Sequence, residues 1–542
     1  MDNSNTKTFA DSQFNQSFLK TNYDIIIVGS GISCAYTIIH YISLLSKELS
    51  RKPVKIAVID KSGEFWSGIP YGKRSGQHSL IISSLKEFLP QPELDNFKLW
   101  LSKNCNWIFD ALKQKKEPLA NKWLNSYESE MSAGLWDELF IPRYTFGLYL
   151  QERLNKILQE AKTKNILECS LVEADVVNVQ RVNELYEVEM TTPSEGSSFL
   201  LAQKVILAIG SPPIKGKWFS QSEVIGQSNL ATEDVCYIDN MYEPSQNCNI
   251  DLICEALRCS DTLDHNQVLI VGSNASALET IYSLNNNKEA SGLINKFLVI
   301  SPNAEFPNRI CHGEDISTTY NPKHLASLIK SPDITAEQIL DAVKKDVVCA
   351  ISQNETVGST YSIISKAVIN ALNQLSLVEQ KLFVTNYGVE IGKFQRRAGA
   401  DYLDVVEQLI KEGKLELLKG KFVRAVSLTA EEGQGFEFVD GSTQEKQIFT
   451  TPVRVVINCA GFQDLTTSSS TLIKNLIRQG ICTPNDSKNG FEVNENFETS
   501  HNFYLMGPLI AGNMNDKFKI WHAESCARII NISQQLAEVL HI

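Results

Sequence analysis

The sequence has little that points to a metal-binding, dithiol or membrane-spanning protein. Its 12 cysteines include no Cys-x-x-Cys pair, which argues against a zinc ribbon and against a paired redox dithiol. No apolar run reaches the length of about 18 residues that a transmembrane helix needs. The formal net charge is −12, which disfavours a surface for nucleic acids or anionic membranes. We therefore expect a cytoplasmic globular protein with buried, reduced thiols.

The chain does contain two glycine turns, each placed after a short apolar run. The first is VGSGIS at 28–33, and the second is VGSNAS at 271–276. A strand, a glycine turn and a helix in this order direct helix N-terminal amides at a pyrophosphate. Each turn therefore predicts a dinucleotide site. Two such sites in one chain favour a flavoprotein that takes electrons from a nicotinamide.

The first turn belongs to a complete βαβ pattern. Apolar strands are expected at 25–28 and 54–59, with a helix over 34–49 between them. Asp60 closes the second strand, where a carboxylate can accept hydrogen bonds from the hydroxyls of an adenosine ribose. Cys34 takes the place of the third glycine of the turn and is small enough to keep the helix close to the strand.

The second turn departs further from the pattern. Asn274 occupies the position of the second glycine, where a side chain obstructs the approach of a pyrophosphate. Asparagine tolerates positive φ, so the turn itself is expected to persist. The next strand, expected at 296–300, is not followed by an arginine that would read a 2′-phosphate, although Arg309, Arg396 or Arg397 can reach in from elsewhere. The coenzyme can therefore be NADPH or NADH, and a degenerate site that binds neither stays open.

Several strings together resemble the FAD-NAD(P)-binding flavoproteins, relatives of the N-hydroxylating and class B flavin monooxygenases. The pattern is most similar to the branch that contains bacterial L-aspartate N-monooxygenases and FAD-dependent urate hydroxylases. The matching strings run in the family's order over nearly the whole chain: VGSGIS at 28–33, GIPYG at 68–72, IPRYTFGLYL at 141–150, LAIGSPP at 207–213, VGSNASALE at 271–279, INCAGF at 457–462 and YLMGPLIAGN at 504–513.

The resemblance implies an α/β fold with two Rossmann-like dinucleotide-binding domains of the three-layer ββα type and an α-helical insertion. It places FAD on the first domain and NAD(P)H on the second. The expected divisions are a disordered leader at 1–20, the FAD domain at 21–240 and 451–542, the NAD(P) domain at 241–311 and 391–450, and the insertion at 312–390. A polar linker is expected around 244–263 and a terminal helix over 521–540.

The resemblance also implies site residues. Gly29, Gly31 and Ser33 would hold the FAD pyrophosphate, and Asp60 the ribose. Arg143 would lie beside the FAD chain, and the two strings LAIGSPP and INCAGF would cross between the domains. The further candidate cofactor contacts are Ile32, Lys61, Gly210, Gly272, Asn274, Ala275 and Gly461, with Gly507, Pro508 and Asn513 expected to close over the flavin ring.

Other candidates have two interpretations each. Trp66 and Tyr71 can stack on the isoalloxazine ring or pack their own loop. Arg143 can bind a phosphate or a substrate carboxylate through its planar fork, or form a salt bridge at a helix start. Arg396 and Arg397 can bind a phosphate or a substrate carboxylate, or be a solvated charged face. His522 can act as an acid or base near the flavin, or pack a helix end.

By resemblance, the function is that of an FAD-dependent, NAD(P)H-using monooxygenase that acts through a C4a-(hydro)peroxyflavin. Its partners would be O2 and a small polar substrate, with N-hydroxylation of an amino acid as one version. Two alternatives remain open. One is an NAD(P)H:FAD reductase that passes electrons onward, and the other is a non-catalytic FAD-binding partner or redox sensor, which the altered second turn favours.

Overall fold

The computed structural model describes residues 22–48, 52–115, 118–192, 196–215, 235–259, 263–311, 318–427 and 434–541. The expected leader at 1–20 and the first residues of the expected insertion, 312–317, lie outside the described residues. In the described part of the chain, no helix is long and apolar enough to cross a membrane.

Strands and helices alternate along most of the chain, as the two βαβ patterns predict. In chain order the strands are β1 (Asn22–Val28), β2 (Val54–Asp60), β3 (Leu167–Glu173), β4 (Asp175–Val182), β5 (Leu185–Thr192), β6 (Gly196–Leu207), β7 (Cys236–Ile238), β8 (Gln267–Val271), β9 (Lys296–Ser301), β10 (Asn308–Arg309), β11 (Arg397–Ala398), β12 (Leu415–Ser427), β13 (Gln434–Asp440), β14 (Lys446–Phe449), β15 (Val455–Asn458), β16 (Glu498–Ser500), β17 (Phe503–Leu505), β18 (Asn513–Met514) and β19 (Lys519–Ile520). The helices are α1 (Ile32–Leu45), α2 (Gly68–Tyr71), α3 (Leu85–Phe88), α4 (Glu93–Lys115), α5 (Pro118–Ser132), α6 (Arg143–Thr163), α7 (Gln246–Arg258), α8 (Ala275–Asn286), α9 (Lys288–Leu293), α10 (Lys323–Leu328), α11 (Ala336–Ser352), α12 (Val357–Leu372), α13 (Leu377–Leu382), α14 (Gly388–Phe394), α15 (Ala400–Lys411), α16 (Thr471–Arg478) and α17 (Cys526–His541).

The first sheet is built around the first glycine turn. Its strands lie in the order β16-β17-β6-β1-β2-β3, and the β4–β5 hairpin extends from β6. β1 pairs in parallel with β2 on one side and with β6 on the other. The apolar end of β1 is buried on both faces, as is usual for a central parallel strand.

The second sheet has the order β14-β13-β12-β9-β8-β15-β7. It corrects two expected domain limits, because β7 and β15 pair with each other and β15 pairs with β8. Residues 236–238 and 455–458 therefore belong to the second sheet rather than to the FAD domain. An apolar strand sequence does not indicate which of two parallel sheets will receive it, so these limits were open to error.

The helical insertion has a core of its own. Helices α10 to α14 span residues 323–394, which extends slightly beyond the expected limit at 390. Ile339, Val343 and Phe383 are buried in a cluster separate from the main core. Thr335 and Thr356 start α11 and α12 with capping boxes, which satisfy backbone donors that the helix itself leaves free.

Two local expectations were wrong. The expected linker around 244–263 contains helix α7, which Ser245 caps by accepting a hydrogen bond from the Cys248 amide. Its Ile250, Ile253 and Leu257 are buried at helical spacing, a pattern that the polar residues between them obscure. The terminal helix begins at Cys526 rather than at residue 521.

Candidate functional site

The backbone of the first glycine turn requires a glycine at residue 29. Gly29 has φ +96°, and its amide donates to the Ile59 carbonyl at 2.8 Å. A Cβ on Gly29 would lie 2.5 Å from the carbonyl oxygen of Ala208, on the segment that follows β6. The turn therefore lies against both neighbouring strands, and any side chain there would collide with backbone.

The second glycine turn has the same backbone frame. Gly272 has φ +112°, and its amide donates to the Ile300 carbonyl at 2.8 Å. A Cβ on Gly272 would lie 2.2 Å from the carbonyl oxygen of Cys459, which follows β15. Gly210 and Gly461 come two residues after these crossing carbonyls, at φ +83° and +87°. The strings LAIGSPP and INCAGF thus play the same part in the two units.

Both turns lead into helices whose N-termini have no side-chain cap. Gly31 is the N-cap of α1 and Asn274 the N-cap of α8, and neither first turn contains an acidic residue. The amides at the start of these helices, which belong to Ile32, Ser33 and Ala275 among others, are therefore available to an anion. Asn274 has φ −91°, so the turn persists as expected and does not call on the tolerance of asparagine for positive φ.

The Asn274 side chain holds an arginine at the start of α8. Nη1 of Arg396 donates to Oδ1 of Asn274 at 2.5 Å, across 122 residues of sequence. The Arg396 side chain is exposed, yet the surrounding protein lowers the pKa of its guanidinium, while Glu524 and Glu390 act in the opposite direction. The second turn therefore has a guanidinium beside the uncapped amides of α8. At the corresponding position of the first turn, Gly31 has no side chain that could hold such a cation.

The ends of the second strands differ between the two units. Oδ2 of Asp60 accepts from the Ser30 amide and hydroxyl, each at 2.9 Å, and Oδ1 accepts from the Ser62 amide and hydroxyl at 2.9 and 2.6 Å. Burial raises the pKa of Asp60, but these hydrogen bonds outweigh it and hold that pKa below its ordinary value. In the second unit, the neutral Ser301 takes the corresponding place and accepts from the Ser273 hydroxyl at 2.9 Å.

Lys61 pairs with Glu243 at 2.9 Å on the surface. The structure therefore gives this expected cofactor residue a partner that lies just before α7.

The GIPYG loop packs directly on the first turn. Gly68 has φ +59°, and a Cβ on it would lie 3.1 Å from the Cα of Gly31. Trp66 is 1% exposed, and its indole N–H donates to Asn155 at 3.2 Å, so its ring belongs to the core of the loop. Tyr71 is also buried, at a centroid distance of 5.1 Å from Phe146. Of the two interpretations given for Trp66 and Tyr71, the structure shows packing of the loop.

Arg143 joins the two units. Its guanidinium donates to both carboxylate oxygens of Glu279, at 2.6 and 2.9 Å, and Tyr242 donates to the same carboxylate. Burial opposes the charge on Arg143, but Glu279 outweighs it and raises the pKa of the guanidinium above its ordinary value. Arg143 is the first residue of α6 and Glu279 lies on α8, so the structure shows the salt bridge at a helix start that was the second interpretation.

The late YLMGPLIAGN string returns to the first turn. A Cβ on Gly507, which has φ +76°, would lie 2.9 Å from the Ser33 hydroxyl. Pro508 is next to it in a 3₁₀ turn. The Asn513 amide is committed to the protein, because it donates to the carbonyls of Phe491 at 2.7 Å and Ile510 at 2.9 Å. The Asn513 side chain therefore orders this segment, and its expected contact with the flavin ring stays a prediction.

His522 lies on a segment that bridges the insertion and the first unit. The Trp521 ring packs edge-on against Phe383 at 5.7 Å, and the guanidinium of Arg528 lies 5.3 Å from the centre of the same ring. His522 is exposed, but enclosure by surrounding protein and the charge of Arg528 lower its pKa to about 4. Its imidazole is therefore neutral at pH 7.

Arg397 and Arg309 are held by the protein itself. The Arg397 guanidinium lies 3.5 Å from the centre of the Tyr361 ring and 3.8 Å from the Glu87 carboxylate. Arg309 forms ion pairs with Asp404 and Glu407, each at 2.8 Å. Of the three arginines considered for the second turn, the structure brings Arg396 to it.

Sequence reasoning missed two carboxylates of this region. Glu279 was visible as the last letter of the VGSNASALE string, and Glu524 stands two residues from His522. A single sequence shows neither their partners nor their surroundings.

Residues 26–212 match the family model described as FAD-NAD(P)-binding. The match includes the first turn, the GIPYG loop, Arg143 and the crossing after β6. This segment is therefore similar to the FAD-NAD(P)-binding family. The expected fold class is confirmed with it.

Over nearly its whole length, the chain is similar to uncharacterized proteins of Mycobacterium tuberculosis and Mycobacterium bovis. Each is 28% identical over 520 residues, which cover 96% of this chain and 95% of the relative.

Solved structures with the same architecture include the FAD-bound cadaverine monooxygenase of the desferrioxamine pathway from Erwinia amylovora. It has a TM-score of 0.51 and 12% identity over 96% of this chain and 94% of that one. The reduced ornithine hydroxylase of Pseudomonas aeruginosa has a TM-score of 0.48 and 11% identity, over 96% of this chain and 99% of that one. At these identities the first of the two shows a shared fold.

Proposed function

We propose that the protein is an FAD-dependent monooxygenase of the cytoplasm that uses NADPH or NADH and oxygenates the amine nitrogen of a small polar substrate such as an amino acid. The observation that carries the proposal is the duplicated cradle: Gly29 and Gly272 sit in the same frame, and each leads into a helix with an uncapped N-terminus. When bound, the flavin would accept a hydride from the nicotinamide and activate O2.

The first unit fits FAD. Gly29 and Gly31 let a pyrophosphate approach the backbone, and the first-turn amides of α1 would bind it. The GIPYG loop and Gly507 flank the same turn, so the polypeptide encloses this site from two further segments. Binding of the ribose by Asp60 requires it to exchange one of its serine hydrogen bonds, since four donors already occupy its two oxygens.

The second unit fits a nicotinamide dinucleotide. Asn274 fills the space that a second glycine would leave, but it also positions Arg396, whose guanidinium suits a phosphate. The neutral Ser301 lacks the negative charge that would repel a 2′-phosphate, so the site accepts NADPH as well as NADH. The ion pair between Arg143 and Glu279 fixes this unit against the first.

The protein contributes enclosure more than acid–base chemistry. Trp521 packs on Phe383 of the insertion, and the neutral His522 beside it adds no charge at pH 7. Exclusion of water protects reduced oxygen species from unproductive decay. The cadaverine monooxygenase that shares this fold acts on an amine, which supports nitrogen as the site of oxygenation.

The proposal is tested with the purified, FAD-containing protein. We expect NADPH or NADH to bleach the flavin anaerobically, and ¹⁸O₂ with a panel of amino acids and diamines to give a hydroxylamine that carries one ¹⁸O atom. Rapid oxidation of NADPH or NADH by an artificial electron acceptor, with no labelled product, would indicate a reductase. Failure of both coenzymes to bleach the flavin would indicate a non-catalytic FAD protein, and purification without FAD would overturn the whole assignment.

A further inference from the structure

Helix α4 carries apolar side chains on two opposite faces. On one face Phe97 and Leu101 are buried, and the Phe97 ring lies 5.2 Å from the ring of Phe146 on α6. On the other face Leu99 and Trp107 are 57% and 56% exposed. A surface helix usually presents charged and polar residues to water on the face opposite its buried stripe. The second face of α4 therefore departs from the pattern of a helix that is in contact with water alone.

Leu135 widens this exposed apolar face. The indole N–H of Trp136 donates to the Ser102 hydroxyl of α4 at 3.2 Å, so the preceding Leu135 lies beside the helix, and it is 64% exposed. We call the following residues the α4 surface: Leu99, Lys103, Asn106, Trp107, Asp110 and Leu135. Contiguous exposed apolar patches are uncommon on monomers, and tryptophan is enriched at the centre of protein–protein interfaces. The α4 surface thus has the composition of a contact surface.

The α4 surface carries one charge of each sign. Lys103 and Asp110 are two helical turns apart, so they lie on one face of α4 with Trp107 between them. Both side chains are exposed, and neither forms an ion pair within the residues that the structure describes. The surface is therefore electrically balanced, and both of its charges are open to a partner.

A second copy of the chain matches this pattern. When two α4 helices pack antiparallel about a twofold axis that passes near Asn106 and Trp107, Lys103 of each copy faces Asp110 of the other. The same axis brings the two Trp107 side chains together at the centre, where they are removed from water. Helix α4 has 23 residues and is therefore about 35 Å long, so its face with Leu135 beside it approaches the roughly 800 Å² per partner of a stable interface.

Other occupants and other surfaces fit less well. The net charge of −12 disfavours a nucleic acid or an anionic membrane. On α13, Leu377 and Val378 are each 71% exposed, but the neighbouring Lys381 is already paired with Asp486 at 2.9 Å. Because that charge is matched within the chain, it gives a second copy less to bind than the unpaired charges of α4 do.

We propose that the protein forms a homodimer through the α4 surface, with Trp107 at the centre and two ion pairs between Lys103 and Asp110 of opposite copies around it. The surface lies on a helix that the chain inserts between β2 and α6. The proposal concerns the assembly of the chain, and it does not depend on the oxygenation that we propose for the cofactor sites.

The test is the self-association of the purified, FAD-containing protein, measured by sedimentation equilibrium. Lys103→Asp and Asp110→Lys each turn two attractive contacts into two repulsive ones, so each should raise the Kd of the dimer at least about tenfold. An equimolar mixture of the two variants should associate as tightly as the parent, because the acidic face of one variant then meets the basic face of the other. This recovery requires contact between two copies, and a change in the folding of either variant would not produce it.

Trp107→Ser should also raise the Kd of the dimer about tenfold or more, since a central tryptophan contributes strongly to an interface. Leu377→Ser on α13 is the matched control and should leave that Kd unchanged. All of these variants should unfold at the temperature of the parent, which shows that they are folded. The proposal is overturned if the parent is a monomer at high micromolar concentrations, if the two charge variants fail to associate when mixed, or if Leu377→Ser rather than Trp107→Ser dissociates the dimer.

Discussion

Gly29 and Gly272 can be compared as two copies of one device. Each closes a parallel strand with positive φ, donates to the neighbouring strand at 2.8 Å and leaves no room for a Cβ beneath a crossing carbonyl. The residues around them have diverged. Gly31 of the first unit corresponds in position to Asn274 of the second, and Asp60 corresponds to Ser301. The two units thus share a backbone turn and differ in the side chains around it, and the proposal that they bind different dinucleotides rests on those side chains.

The largest effect is expected from the glycines themselves. Gly29→Ala and Gly272→Ala each place a methyl group against a backbone carbonyl at a φ that alanine avoids, so both should fail to give folded protein or lose several kcal/mol of stability, about 3 or more. Gly210→Ala and Gly461→Ala are controls with positive φ but open space, expected to cost about 1 kcal/mol each. Thermal unfolding and the FAD content of the purified variants measure these losses. Equal losses at all four positions would show that φ, not the crossing strand, sets the constraint.

The contact between the units comes next. Arg143→Met leaves the buried Glu279 carboxylate without its cation and should cost about 3–5 kcal/mol, and Glu279→Gln should be similarly damaging. The double variant is expected to recover part of the loss, because neither charge is then left alone. A denaturant double-mutant cycle measures this coupling. Additive losses would mean that the pair does not hold the units together.

The second cradle should depend on its arginine. Arg396→Gln is expected to weaken NADP⁺ binding by roughly 10- to 100-fold, because a charged hydrogen bond to phosphate is worth about 1.5–3 kcal/mol. Asn274→Gly should weaken it less, since it frees the guanidinium without removing it. Both variants should keep FAD, which calorimetry and flavin absorbance can establish together. Tighter binding by Asn274→Gly would instead identify the asparagine as an obstruction.

In the first cradle, the hydrogen bonds of Asp60 depend on pH. Its folded pKa lies below the ordinary value of about 3.9, so the stabilisation is complete above that value and is lost as the pH falls through the lower folded pKa. Asp60→Asn should therefore cost about 1–2 kcal/mol at pH 7, and the difference from the parent should shrink below about pH 4. Urea unfolding across this pH range measures it. If the difference in unfolding free energy does not vary with pH, the loss comes from the altered packing or hydrogen-bond geometry of the side chain rather than from its charge.

The smallest expected effect concerns the choice of coenzyme. Ser301→Asp gives the second strand end the acid that the first has, so it should weaken NADPH relative to NADH by about tenfold, or about 1.4 kcal/mol. The ratio of the two dissociation constants is the measurement. An unchanged ratio would place the 2′-phosphate elsewhere.

Much of the architecture could be predicted from local sequence. A glycine that ends an apolar strand leaves few backbone solutions, so β1, α1, β2 and β9 fall close to their expected bounds. The partners of the charged residues could not be predicted in this way. Arg143 meets Glu279 across 136 residues and Arg396 meets Asn274 across 122, and only the packing of the two sheets brings them together. The same limit explains why β15 was placed with the wrong sheet.

The last helix bears on how the protein is made. The Ser533 hydroxyl donates to the Ser33 carbonyl at 3.3 Å, with 500 residues between them, and Lys204 donates to the carbonyl of Leu540 near the other end of α17. The helix that follows the first glycine turn therefore acquires this neighbour only after about 500 further residues have been synthesised. During translation an apolar face of α1 stays exposed until α17 has been made. The contact between the two helices is long-range, and contacts of this kind form slowly. A nascent chain stalled before α17 should consequently depend on chaperones, and it should capture its flavin only after α17 has been synthesised.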